Sequence, residues 1–295
     1  MAATLTLDLL TWDVTPTEGP HPATARHRTQ TIIDTVRSAW DSGADLVLLP
    51  EFTWMMLEPT LPPSPTPLQG VAERFWNEEW PFLCQALARP DKAVVLGTCP
   101  FFDPLTQQLR NRAPILRGTD HLHQDKLHLT PWEQAFSPGD SIQLFTFRGF
   151  TLAVIICLDI EVPELSALLR GRHIDLILCP SATETELGTE RVDRCASARA
   201  VELGCHVGVS HLLGRSPSDL IDQNVGRVAI YHPSQVPFSK SPRWHEAPLQ
   251  TQGIHRLRTP LDHTALSRMR KRTAETNPAL LNPSSITPYK IIRID

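Results

Sequence analysis

Short apolar runs recur along the chain, several of them closed by a polar or reactive residue, and the stretches between them repeat with helical spacing. Residues 4–10 read as a first strand. Residues 23–42 read as a helix, because Ile32, Ile33, Val36, Ala39 and Trp40 share one face and Gly43 suits a C-cap. A buried strand over 46–49 ends in Pro50 and Glu51. A proline-rich loop, EPTLPPSPTPLQG, leads to a helical stretch over 71–88 with Pro81 as a break or restart, and AVVLGT (93–98) is the next strand. Alternation and Gly118 predict a hairpin over 112–124, followed by a loop, DKLHLTPWEQAFSPGD. Strands follow near 143–148 and 151–156, then a helix over 163–169, a strand over 174–182 and a helix over 192–203. The series closes with strands over 205–210, 227–233 and 251–261 and a basic helix over 265–272. Alternating strands and helices predict an α/β protein with helices covering sheets. Residues 1–255 read as one catalytic domain and 256–295 as a C-terminal extension.

Three strands end where chemistry could sit: at Glu51, at Cys157, and at Cys179-Pro180-Ser181. A thiol at the exit of a buried strand has a rigid platform beneath it, although an inert core cysteine fits the same place. A nearby carboxylate could take the thiol proton and return it to a leaving group. Acyl transfer also needs donors for an oxyanion. Lys126 is a candidate, with Leu127, Leu129 and Trp132 able to desolvate it. The amide after the nucleophile is another, and it separates the cysteines. Leu158 follows Cys157 and has an N–H, whereas Pro180 follows Cys179 and has none. His121, His123 and His128 cluster, but acidic ligands at metal-site spacing are missing, so no metal is expected.

Composition narrows the function classes. The net charge of −4 over 295 residues offers no basic field for nucleic acid or an anionic membrane. No apolar segment approaches the ~18–20 residues of a membrane span, and the N-terminus lacks signal-peptide features. The six cysteines form no CxxC pair and several lie in apolar runs. A cytoplasmic protein without structural disulfides is the expectation.

LVLLPEF with Glu51, DKLHLTPWE with Lys126 and VIICLDIEVPEL with Cys157, in that order and at these intervals, resemble the nitrilase superfamily of carbon–nitrogen hydrolases. SPGD, DLILCPSA and RCASARAVELGCHVGVS add to the likeness, which covers about residues 4–232. The resemblance implies a four-layer α-β-β-α sandwich, two sheets between helix layers, extended across a dimer as α-β-β-α-α-β-β-α. It implies Glu51 as general base and acid, and Lys126 with the Leu158 N–H as oxyanion donors. Cys157 would be the nucleophile that forms a thioester, and Glu133 the second glutamate that positions substrate and supports Lys126. No cofactor and no metal are needed, and a homodimer or higher homo-oligomer is the rule. Leu158 and Asp159 stand where true nitrilases carry Trp and Glu. The resemblance therefore favours a small linear amide or N-carbamoyl substrate, with water, over a nitrile. DIEVPEL and RVDRCASARAVE look most like a branch with members fused to an acetyltransferase domain, which these 295 residues are not expected to include. Phe52, Trp54, Trp132, Thr183 and His211 are the expected substrate-binding residues. Acyl transfer through the same thioester, or a silent binding protein on the same fold, are the competing readings.

Overall fold

Alternate residues of the central strands face two different cores, and this arranges the layers. The computed structural model describes residues 4–16, 22–238 and 244–271. Leu46 and Leu48 enter a core shared by two sheets, while Val47 and Leu49 turn outward to a helical layer. Ala93 and Val95 repeat the first pattern and Val94 and Leu96 the second. A strand buried on both faces has no polar side, which is why these runs read as uninterrupted apolar sequence.

The strands in chain order are β1 (Thr4–Leu10), β2 (Trp12–Asp13), β3 (Leu46–Leu49), β4 (Ala93–Leu96), β5 (Cys99–Asp103), β6 (Gln108–Arg117), β7 (Asp120–Asp125) and β8 (Leu144–Phe147). They continue with β9 (Phe150–Val154), β10 (Leu176–Ser181), β11 (His206–Arg215), β12 (Gln223–Asn224), β13 (Val228–Tyr231), β14 (Trp244–Glu246) and β15 (Arg256–Asp262). One sheet has the order β15-β1-β3-β4-β6-β5, with β7 on β6. The other runs β14-β13-β11-β10-β9-β8, with β2 and β12 on β11. The sheets pack face to face through Leu5, Leu7 and Leu9 on one side and Leu176, Leu178 and Gly208 on the other.

Helices α1 (Pro22–Asp41), α2 (Pro67–Arg74) and α3 (Trp80–Leu87) cover the first sheet. A π turn over Phe75–Glu79 joins α2 to α3 just before Pro81, where the proline removes one N–H from the helical ladder. The break or restart expected at Pro81 is thus a change from π to α winding within a helical run that is continuous over 67–87. Helices α4 (Pro163–Leu169) and α5 (Glu186–Leu203) lie along the second sheet. Thr185 caps α5 by accepting the Gly188 N–H at 3.1 Å, and Gly204 closes it in the left-handed region. The two sheets between helix layers form the expected α-β-β-α sandwich.

Strand β15 pairs antiparallel along all of β1, so residues 256–262 are part of the first sheet although the expected extension began at 256. Asp8 on β1 is buried and holds Arg258 with two hydrogen bonds of 2.7 Å. Helix α6 (His263–Lys271) follows, and its Arg270 reaches Asp175 at 2.6 Å, so this basic residue is a clamp rather than solvated charge. Arg272 and the tail lie outside the described residues. No helix among the described residues is long and apolar enough to cross a membrane.

Candidate active site

Glu51 sits two residues past β3, and the chain turns sharply after it. Phe52 takes a left-handed φ of 56°, and its N–H donates to the Thr98 hydroxyl at 2.8 Å. Gly97 makes room for this turn. A Cβ there would come within 2.1 Å of the Pro50 carbonyl oxygen. Cys157 lies beyond the end of β9 in the same kind of bend, with φ 46° at the head of a 3-10 turn over Cys157–Glu161. A non-glycine residue in that region costs about 1–3 kcal/mol, which the buried strands on either side must offset. Both turns re-aim a side chain from a rigid strand into one cavity.

Lys126 follows β7. Its N–H donates to the Asn111 carbonyl at 2.9 Å and its own carbonyl accepts from Gly139 at 2.7 Å, so the loop is held at both edges. Gly139 of the SPGD stretch is needed for this approach, since a Cβ would lie 2.9 Å from that of Asp125. Glu133 closes a turn by accepting the Thr130 N–H at 2.9 Å. The four residues converge. The Lys126 ammonium donates to Glu51 Oε1 at 2.8 Å and to Glu133 Oε2 at 2.7 Å. Glu51 Oε2 accepts the Ala182 N–H at 3.1 Å, and the Cys157 thiol donates to the Ala182 carbonyl at 3.5 Å. Glu51, Lys126 and Glu133 are each no more than 2% exposed. A lysine ammonium has three hydrogens, and two of them are spent on carboxylates.

Burial dominates the electrostatics. It lifts the Glu51 carboxyl to about 7 against the opposing pull of Lys126, with Glu133 adding to the rise. It also pushes the Cys157 thiol up to about 12, with the Glu51 charge reinforcing the rise and Lys126 opposing it. Burial would lower Lys126, but Glu51, Cys157 and Glu133 outweigh it and hold the ammonium above its ordinary value. The arrangement therefore rests as a thiol beside a carboxyl group poised near neutrality, with a firmly protonated lysine between two glutamates. Such a set can move a proton from sulfur to carboxylate and offer a cation to a developing oxyanion.

Asp159 ties the parts together. Its carboxylate accepts the backbone N–H groups of Leu127 at 3.0 Å and His128 at 2.7 Å, and the His128 ring lies 3.0 Å away. It thus fastens the loop after Lys126 to the turn that carries Cys157. His128 is spent there, whereas His121 and His123 lie on β7, His121 against the Trp80 ring.

The cavity has a volume of about 210 Å³. Glu51, Lys126, Glu133, Cys157 and Leu158 line it, as do Phe52, Trp132 and Thr183. Trp132 is 73% exposed, so it borders the mouth and does not desolvate Lys126. Trp54 and His211 do not line the cavity. The bend at Phe52 turns Trp54 into the helical core, where its indole N–H donates to the Leu96 carbonyl at 2.7 Å. His211 is fully buried on β11, its Nδ1 bonded to the Arg227 carbonyl at 2.9 Å. Sequence reasoning missed Asn111, whose amide bonds two of the glutamates, and the rim residues Glu161, Glu184, Arg191 and Asn224.

Comparison with known proteins agrees with this geometry. Residues 18–258 match the family model for carbon–nitrogen hydrolase. The chain is 29% identical over 209 residues to "Probable hydrolase YhcX" of Bacillus subtilis (strain 168), covering 68% of this chain and 40% of that protein. It is 36% identical over 114 residues to an (R)-stereoselective amidase of Pseudomonas sp, covering 38% of this chain and 40% of that protein. The chain thus spans about two fifths of the length of these curated relatives. In the fold, it resembles the crystal structure of Saccharomyces cerevisiae Nit3, a member of branch 10 of the nitrilase superfamily. The TM-score is 0.68 at 20% identity, with 95% of this chain and 97% of that one covered. A family match over most of the chain, on a fold shared with a nitrilase-superfamily structure, establishes that this chain belongs to the carbon–nitrogen hydrolase family.

Proposed function

We propose that the chain hydrolyses the C–N bond of a small amide through a thioester on Cys157. The observation that carries the reading is the placement of one buried ammonium between two buried glutamates, on the wall of the cavity that the Cys157 thiol also lines. Glu51 takes the thiol proton as sulfur attacks the carbonyl carbon, so a resting thiolate is not required. The third Lys126 hydrogen and the Leu158 N–H stabilise the tetrahedral oxyanion. Glu51 returns the proton to the leaving nitrogen. It then activates water, which releases the acid and restores the thiol. Glu133 holds Lys126 in place. An amine or hydroxyl in place of water would make the same intermediate an acyl donor. The chain works as a homodimer or higher homo-oligomer in the cytoplasm.

Cavity size and charge point to the substrate class. A cavity of about 210 Å³ is below the ~300–1,000 Å³ usual for ligand sites, which suits a small acyl group. Four carboxylates line it, Glu51, Glu133, Glu161 and Glu184, against the two cations Lys126 and Arg191. Arg191 is bonded to Glu161 at 2.7 Å. A substrate carboxylate would meet net like charge, at a cost of ~1 kcal/mol or more for a separation of several ångströms at intermediate dielectric. A neutral aliphatic amide is therefore favoured over an N-carbamoyl amino acid. Ammonia release from butyramide, N-carbamoylalanine and butyronitrile tests this. Butyramide is expected to have the highest kcat/KM, about tenfold above the carboxylate-bearing compound. Faster turnover of N-carbamoylalanine or of the nitrile would overturn the assignment.

The pH profile follows from the Glu51 carboxyl. The ionised form is the base, and it is lost as pH falls through its midpoint of about 7. The value of kcat/KM is expected to fall tenfold per unit below that midpoint. Because Lys126 is held above its ordinary value, the plateau should extend past pH ~10, the ordinary lysine range. An acid limb near the ordinary carboxylate range of ~4.3 would show that burial does not raise the Glu51 carboxyl.

A further inference from the structure

We propose that Asn111 is a positioning residue of this site: by donating to Glu51 and Glu133 at once, its side-chain amide keeps Glu51 ionised and oriented as the base. The inference rests on the hydrolase reading above and assigns a role within it.

Asn111 lies midway along β6, on the buried face of an alternating strand, between Leu109 and Ala113. It is 1% exposed. Its Nδ2 donates to Glu51 Oε1 at 2.9 Å and to Glu133 Oε1 at 3.1 Å. Its backbone carbonyl accepts the Lys126 N–H at 2.9 Å, so one residue touches all three ionisable partners. Its Oδ1 is buried with no hydrogen-bond partner. An unpaired buried amide oxygen is a cost, and a free choice of rotamer would avoid it. Turning the amide round would set that oxygen against two carboxylates, which is worse. The orientation therefore reports what the site demands, two donors pointing at two acids.

Charge arithmetic gives the reason. Glu51 and Glu133 are buried with one ammonium between them, one negative charge in excess. A proton on Glu51 would settle that excess, but it would also abolish the base. Asn111 offers both anions a neutral dipole, which favours the ionised pair without adding a titrating group. Lys126 alone cannot do this, since its remaining hydrogen is needed for the oxyanion. Asn111 does not line the cavity, so its effect on substrate passes through the glutamates.

The test is the titration of Glu51 followed directly, by NMR of protein carrying 13C at the glutamate side-chain carboxyls. The Glu51 signal is assigned by its loss in Glu51→Gln. Removing the amide in Asn111→Leu deletes a hydrogen bond to a charged group, so the Glu51 midpoint should rise by about one unit. The acid limb of kcat/KM should rise with it, kcat falling and KM staying nearly constant. Asn111→Ser keeps one hydroxyl donor and should move the midpoint less, in the same direction; it serves if the leucine variant does not fold. A Glu51 midpoint that stays put in a folded variant overturns the proposal, even if activity falls, because that result describes a packing role. If the parent protein hydrolyses no amide, the functional reading fails, and the NMR midpoint still decides whether Asn111 governs Glu51.

Discussion

Replacing Cys157 by alanine is expected to lower kcat for amide hydrolysis by roughly 10⁵-fold or more, with the fold intact. The size of the effect follows from the site. No other thiol among the described residues can take the place of Cys157. Cys179 is fully buried, its own ionisation is driven well up by burial, and the residue after it is a proline. The fold should be indifferent, because Cys157 is a small side chain at the edge of a cavity and the substitution removes one sulfur atom. The melting temperature is expected to stay within about 3 °C of the parent protein. Product analysis by ammonia release, paired with thermal unfolding, checks both halves. Turnover within tenfold of the parent protein in a folded Cys157→Ala variant would end the thioester mechanism.

Lys126→Met is expected to fail in two ways at once. Removing the ammonium takes away the cation that the oxyanion needs, and loss of a single such donor typically costs ~10²–10³-fold in kcat. It also leaves two buried carboxylates facing each other, served by the Asn111 amide, backbone N–H groups and the Cys157 thiol. Breaking a buried ion pair by removing one partner costs on the order of 3–5 kcal/mol. Stability should therefore drop most at high pH, where both glutamates must ionise, and recover as pH falls and one takes up a proton. The sign is that of a carboxyl raised in the folded state: the native form binds more protons than the unfolded chain, so stability falls as pH rises through the gap between the two midpoints. Denaturant unfolding at pH 6 and pH 9 measures it. Equal destabilisation at both values would show that the loss is one of packing rather than charge.

The catalytic candidates were legible for a simple reason. Glu51 and Cys157 follow apolar runs buried on both sides, and a polar residue just past such a run stands out. Lys126 is legible only in combination, since a lysine in a loop is ordinary until its partners are known. Asn111 lies in QLRNRAPILR, where arginines on both sides make the stretch look like a solvated strand. Yet Arg110 and Arg112 point to one face and Leu109, Asn111 and Ala113 to the other, so an asparagine on the buried side was a readable signal. Trp54 and His211 were misplaced for geometric reasons. The left-handed residue at Phe52 reverses the direction of the chain, and nothing in LPEFTW announces a positive φ. The pleat at Ser210 and His211 sends the serine to the other sheet, where it donates to the Leu48 carbonyl at 3.2 Å, and the histidine to the opposite side. Strand β5, CPFFD, escaped because Pro100 interrupts it near its start, although β5 is the end strand of its sheet and tolerates a residue without an N–H.

The fold and the chemistry meet at two bends. Strands β3 and β9 each deliver a buried backbone to a left-handed residue, and each bend turns a side chain into the same cavity. Asp159 then pins the Lys126 loop to the second bend, so carboxyl, ammonium and thiol are held at the ends of three separate strands rather than by one flexible loop. Residues 75 and 31 positions apart in sequence, the separations of Lys126 from Glu51 and of Cys157 from Lys126, are thereby held around one cavity, the fixed placement that the proposed reaction would need.

The most direct test is the mass of the protein during turnover. Parent protein mixed with butyramide and quenched in acid on the millisecond-to-second scale should carry the acyl group, substrate less ammonia, on the peptide that contains Cys157, and lose it as product accumulates. Product that accumulates with the acyl group on another residue, or with no acylated peptide at any time point, would contradict the account.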